Sequence, residues 1–335
     1  MKKNNNLFII DTPLHLLISQ VIAIHFNIKP FLFCTEENLK TLPFFDHTLW
    51  KEIFSVNSYK RINLLRLLLG KLEIPDSHFQ NIFIFNDFRA FNQILLKSLD
   101  YSNLIYIDDG FTAGDYNLRK SGFKKNKGLK GLTKKMAKKF LGLQPTSHLL
   151  LHERINEVYL FYPHLIENFR CEVKDLGKII SSHSDYVEHL SQKISLPPEL
   201  PREPDYLILT QPLTRDGITK KYEERKVVDL FLDAIPTKST VIIKPHPFDT
   251  SYFHNIKRRE GIYVLESLKF IPYELLHARI RPKRLVSFWS TALLTAPLFY
   301  STHPISLASN LKTTDASFYV NYLKTAIPEI DFFKL

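Results

Sequence analysis

Apolar runs of strand length alternate with helix-length stretches along this chain, and that alternation restricts its fold more than any other feature. Residues 7–10 (LFII), 30–34 (PFLFC), 81–85 (NIFIF), 104–107 (LIYI) and 147–151 (SHLLL) are rich in leucine, β-branched and aromatic side chains. Helical patterns lie between several of them, at 62–71 and 90–99 among others. Such alternation predicts an α/β unit built on a largely parallel sheet. After Ser195 comes LPPELPREPDY, in which four prolines exclude a helix or a central strand, so this stretch is expected to be a linker. A second α/β unit then begins. Strands are expected at 206–210, 240–244, 262–265 and 284–287, and helices at 220–234, 272–278 and from 291 to 299. Two domains follow, residues 1–196 and 197–335, and 335 residues suffice for both. Two α/β domains joined by a hinge suggest a ligand between them, near the carboxyl ends of the strands.

The amino terminus, MKKNNNLFIIDTPLHLLISQVIAIHF, has the two lysines and apolar run of a signal peptide. Asp11, Pro13 and His15 interrupt that run, however, and no small-residue cleavage site follows. The stretch reads instead as a strand, a loop and a helix over about 14–26. No segment offers the roughly 18 uninterrupted apolar residues of a membrane span. Two cysteines, Cys34 and Cys171, form no C-x-x-C pair, which argues against a disulfide framework and a zinc site. A cytoplasmic protein is expected. Its net charge of +11 is concentrated in RKSGFKKNKGLKGLTKKMAKKFLG, residues 119–142, which contain no acid. A solvated basic face is the plainest explanation, and contact with an anionic membrane surface comes next. Nucleic acid comes last, because the segment holds only two aromatics, Phe123 and Phe140.

Four motifs fall at expected strand ends. Asp108-Asp109-Gly110 suits a strand-ending turn, and equally a metal or general-base site. In QPLTRDG, residues 211–217, Asp216 is placed either to cap the next helix or to present a carboxylate. In TVIIKPHPFD, Pro245 and Pro247 bracket His246 and leave it little backbone freedom, which suits a positioned proton donor or a structural turn. Downstream, PYELL places Glu274 in the first turn of a helix. In SFWST, Ser290 and Thr291 open an apolar helix, as an N-cap or as a phosphate site. No Walker A loop and no G-x-G-x-x-G occurs.

The order DTPLHLL, IDDG, QPLTRDG, KPHP, PYELL, SFWST resembles the bacterial sialyltransferases, most closely glycosyltransferase family 52, whose members sialylate lipooligosaccharide and capsule. The resemblance implies a GT-B architecture, two Rossmann-like domains with the active site in the cleft between them. The carboxyl-terminal domain would bind a CMP-sugar, and the amino-terminal one would carry the acceptor. It implies an inverting transfer from CMP-sialic acid to a galactoside, without a metal or other cofactor. His246 would be the general acid toward the departing CMP phosphate, and Ser290 and Thr291 would bind that phosphate. Glu274 would bind the ribose hydroxyls, with Glu266 as the alternative. Gln211, Gly217, Lys244, Pro245 and Pro247 would complete the donor side. The family's acidic-acidic-Gly motif has two matches. Asp216 is favoured as base for its place in the Gln-Pro-Leu loop, although Arg215 stands where the first acid is expected. Asp108 and Asp109 are the alternative.

The chemistry is self-consistent. The sugar carries a carboxylate beside its anomeric carbon, and a helix N-terminus, hydroxyls and His246 can meet the phosphate charge. A lipid-linked acceptor on the inner face of the inner membrane would account for the lysines, with Lys134, Lys135, Lys138 and Lys139 as their densest group. Family members can be dimers, and nucleic acid has no place in this scheme. Two alternatives stand beside it. One is a related transferase using another CMP-nonulosonate, CMP-Kdo or a nucleotide-hexose. The other is a non-enzymatic polyanion or nucleic-acid binder, which would have no use for His246.

Overall fold

The computed structural model describes residues 5–58, 60–72, 78–87, 89–112, 143, 152–166, 169–214, 217–220, 223–248, 260–300 and 302–334, apart from the side chains of Arg61, Leu65 and Thr314. The chain divides into two compact units, Met1–His183 and Ser184–Leu335. Each is an α/β domain on a parallel sheet, as the alternation predicts.

In the first unit the strands are β1 (Asn6–Ile10), β2 (Phe31–Cys34), β3 (Glu52–Ser55), β4 (Phe79–Ile84), β5 (Tyr101–Ile107), β6 (Ile155–Leu160) and β7 (Glu172–Asp175). They lie in the order β3-β2-β1-β4-β5-β6-β7, all parallel. The central strands β1 and β2 are buried at every residue, and a strand covered on both faces has no use for polar alternation. The edge strands β3 and β7 read EIFS and EVKD and are partly exposed. Polar side chains on an edge leave no apolar run in the sequence, so these strands were not foreseen. The expected strand at 147–151 lies outside the described residues. The strand that pairs with β5 is β6, INEVYL.

Helices α1 (Pro13–His25), α2 (Arg61–Leu68), α3 (Ala90–Ser98) and α4 (Leu176–Ser181) accompany this sheet. Thr12 caps α1 by accepting from the His15 N–H at 3.2 Å, and Pro13 follows in the first turn, where a missing N–H costs nothing.

The second unit contains β8 (Tyr206–Leu209), β9 (Val241–Lys244), β10 (Ile262–Val264), β11 (Arg284–Ser287), β12 (His303–Ser306) and β13 (Asp331–Phe332). Their order is β10-β9-β8-β11-β12-β13, again parallel throughout. The helices are α5 (Ser184–Gln192), α6 (Glu223–Ala234), α7 (Tyr273–His277), α8 (Thr291–Phe299) and α9 (Thr314–Ala326). The division between units precedes the proline-rich stretch. Helix α5 packs on α7, and the Arg279 guanidinium donates to the carbonyls of Ser191 and Ile194, each at 3.2 Å. The helix before the prolines therefore already belongs to the second unit. Among the described residues no helix is long and apolar enough to cross a membrane.

Candidate active site

In the second domain, β8 lies between β9 and β11, so the residues that follow these three strands share one edge of the sheet. Side chains from the end of β8 hold the other two. The Thr210 hydroxyl accepts from the His246 backbone N–H at 3.0 Å. The Gln211 side-chain carbonyl accepts from the Trp289 N–H at 2.9 Å, and Ser287 donates its hydroxyl to the Leu209 carbonyl at 2.8 Å. His246 and Ser290 are thereby fixed on either side of β8. Thr210 and Ser287 do this work unannounced in the sequence, since a hydroxyl at a strand end looks the same whether it binds anything or not.

His246 is half-buried, and its Nδ1 accepts from the Phe248 N–H at 3.2 Å. In the neutral ring the proton is therefore on Nε2, the nitrogen that a general acid can offer. Pro245 is buried and Pro247 half-buried on either side. Ser290 is the N-cap of α8, accepting from the Ala292 N–H at 3.3 Å, and Thr291 is half-exposed in the first turn. This end of α8 combines two hydroxyls with helix N–H groups, which suits a phosphate.

Lys244 does something the motif did not suggest. Its Nζ donates to the Lys269 carbonyl at 2.9 Å, and its side chain is buried. Burial lowers its pKa to about 8, with Glu274 pulling the other way. Glu274 is 6% exposed, and one of its oxygens accepts from Thr295 at 2.6 Å. Burial raises its pKa, while the Thr295 hydrogen bond lowers it. Glu266 is half-exposed and pairs with Lys269 at 3.3 Å. Gly217 sits in a turn at φ +73°, a left-handed conformation that favours glycine, and its N–H donates to the Thr214 carbonyl. Arg215 and Asp216 lie outside the described residues. The loop ahead of them is pinned by buried Glu224, which accepts from the Leu213 N–H at 2.8 Å.

The first domain gathers polar groups at the carboxyl ends of its central strands. Asp108 follows β5 and is buried, with both oxygens engaged. One accepts from the N–H groups of Gly110 (2.7 Å) and Thr112 (3.2 Å), the other from that of Phe161 (3.2 Å). Burial, and then the charge of Asp109, raises its pKa to about 6. Asp109 differs: its side chain is 39% exposed, and His15 Nε2 stands 3.9 Å from its Oδ2. Asp11, just past β1, is buried and accepts from Thr35 and, at 3.4 Å, from Asn92, with Arg89 at 3.5 Å. Among the described residues no three His, Cys, Asp or Glu side chains cluster as metal ligands would.

Two parallel-sheet α/β domains of this kind are the GT-B architecture. The GT-B domain of a sialyltransferase from Photobacterium damselae superposes with a TM-score of 0.50 at 12% identity, covering 98% of this chain and 100% of that one. A UDP-GlcNAc 2-epimerase from Methanocaldococcus jannaschii gives 0.55 at 11% identity, covering 98% and 88%. The wall teichoic acid polymerase TagF gives 0.50 at 10%, covering 95% and 73%. No curated protein matches the chain in sequence. The sequence model of the alpha-2,8-polysialyltransferase (POLYST) family matches residues 6–309, and the chain belongs to that family. The sialyltransferase class and the GT-B fold implied by the motifs thus hold.

Proposed function

We propose that this sialyltransferase moves sialic acid from CMP-sialic acid to the terminal sialic acid of an acceptor glycan, forming an α2,8 linkage with inversion at the anomeric carbon. The observation that carries the reading is the grouping of His246, Ser290 and Thr291 around the end of β8 in a chain of this family. The bond from the anomeric carbon to the phosphate oxygen breaks, and its electron pair stays on that oxygen. His246 gives the oxygen its Nε2 proton, while Ser290, Thr291 and the α8 N-terminus hold the remaining phosphate charge. The acceptor hydroxyl attacks the anomeric carbon and yields its proton to a carboxylate. Asp216, in the Gln-Pro-Leu loop, and Asp109 are the carboxylates proposed for that task; of the IDDG pair Asp109 suits it better than Asp108, whose oxygens already serve three backbone N–H groups. Glu274 and Glu266 are the carboxylates offered to the ribose. No step asks for a metal.

The test is transfer assayed with CMP-sialic acid and two acceptors, an oligosialic acid and a lactoside, with and without EDTA. Elongation of the oligosialic acid that persists in EDTA is expected. A galactoside-only enzyme, as in lipooligosaccharide sialylation, would overturn the α2,8 assignment, and turnover only with a UDP- or GDP-sugar would overturn the donor. His246→Ala is expected to lower the rate by at least about 10²-fold with the fold intact, seen as an unchanged far-UV spectrum. Wild-type-like turnover would remove the general-acid role.

A further inference from the structure

The geometry points to His15 as a positioning residue for the carboxylate of Asp109, an inference that rests on Asp109 being the base. His15 is 3% exposed in the first turn of α1, in the DTPLHLL stretch that no step above uses. Two contacts hold its ring and a third its backbone. The Asp11 N–H donates to Nδ1 at 3.2 Å. The ring face stacks on Phe85, with centroids 4.1 Å apart and planes 6° from parallel. The residue's own N–H is taken by Thr12.

A nitrogen that accepts from a backbone N–H carries no proton, so in the neutral ring the proton is on Nε2. Nε2 is the atom 3.9 Å from Asp109 Oδ2. That separation exceeds a hydrogen bond, and the role requires the half-exposed Asp109 side chain to turn toward Nε2 when the acceptor binds. The arrangement gives a general base an orienting N–H donor whose tautomer the backbone dictates. Among the described residues, Asp108, just past β5, and Tyr106, on β5, are buried titratable groups that also feel the Asp109 charge.

The experiment compares His15→Asn, His15→Gln and Asp109→Asn in the full chain, by kcat, KM and the pH profile of kcat/KM. Asparagine keeps an acceptor for the Asp11 N–H and lacks a group that reaches Asp109. Glutamine restores a donor near the Nε2 position. His15→Asn is expected to lower kcat about ten- to a hundredfold, as loss of a hydrogen bond to a charged group does, with KM for the donor little changed. An N–H donor favours the ionised carboxylate, so its loss moves the acidic limb of the profile to higher pH. His15→Gln is expected to recover most of both. Unchanged kcat and limb in His15→Asn, with Asp109→Asn inactive, overturns the role of His15 and leaves the base standing. Wild-type turnover in Asp109→Asn removes both. Should His15→Asn not fold, imidazole ¹⁵N shifts of the wild type, assigned by difference from His15→Gln, read the tautomer directly, and an Nδ1-protonated ring overturns the inference.

Discussion

Asp108 and Asp109 are neighbours in the chain and unlike in their surroundings. Asp108 closes the β5 turn, with three backbone N–H groups on its two oxygens. In Asp108→Asn an amide NH₂ must replace one of those oxygens and face an N–H. The expected cost is about 1–3 kcal/mol, read as a lower denaturation midpoint with an unchanged denaturant slope. Asp109→Asn should melt near the wild type and lose at least about 10²-fold in turnover. The sequence offered a turn and a base as rival explanations of IDDG, and the structure assigns the turn to the first aspartate. Two adjacent aspartates cannot be told apart by type. The backbone N–H groups that converge on Asp108 separate them, and one of these, from Phe161 just past β6, lies more than fifty residues away in the chain. His15 was hidden for a similar reason, since Phe85 and Asp109 lie just past β4 and β5, far from it in the chain.

At the scale of elements, the strap from β8 decides how well the second domain's site is held. Thr210→Val keeps the shape and deletes the acceptor for the His246 N–H. The expected result is a fall of about tenfold in kcat with donor KM little moved, and Thr210→Ser should restore it. Helix α7 carries a different signature. His277 is buried, with its Nδ1 hydrogen-bonded to the Tyr273 hydroxyl at 2.7 Å, and its ring stacks on Tyr300 at 3.6 Å. Burial, and then the charge of Arg281, lowers its pKa from 6.5 to about 4. A histidine depressed in the folded state binds fewer protons there than in the unfolded chain. Its contribution is therefore complete above pH 6.5 and is lost as the pH falls toward 4. Relative to His277→Gln, the wild type should lose on the order of 2–3 kcal/mol between pH 7 and pH 4.5, measured by urea unfolding. The central strands were legible because burial on both faces makes them continuously apolar. Edge strands β3 and β7 were not, because exposure lets polar side chains break the run, and neither were the interior strands β6 (INEVYL) and β12 (HPIS), whose polar residues and proline interrupt it.

For the whole molecule, alternation of strand and helix was enough to foresee two parallel-sheet domains, since only crossover connections join parallel neighbours. The boundary was harder, because a proline-rich stretch marks where secondary structure stops and not which core the preceding helix joins. The excess charge acts at this scale too. If residues 119–142 dock on anionic lipid, neutralising Lys134, Lys135, Lys138 and Lys139 should reduce sedimentation with phosphatidylglycerol vesicles, and raising salt should do the same to the wild type. Unchanged sedimentation would leave the basic stretch as a solvated face. The pairing of β5 with β6 has one more consequence, in time. Ile107 leaves the ribosome well before Ile155, the first residue of its neighbouring strand. At roughly 5–20 residues per second, the β5 edge waits a few seconds with its backbone groups unpaired. An apolar strand open for that long is a template for mispairing with other nascent chains. Yield of native protein should therefore respond to chaperone supply during synthesis more than to the stability of the finished fold.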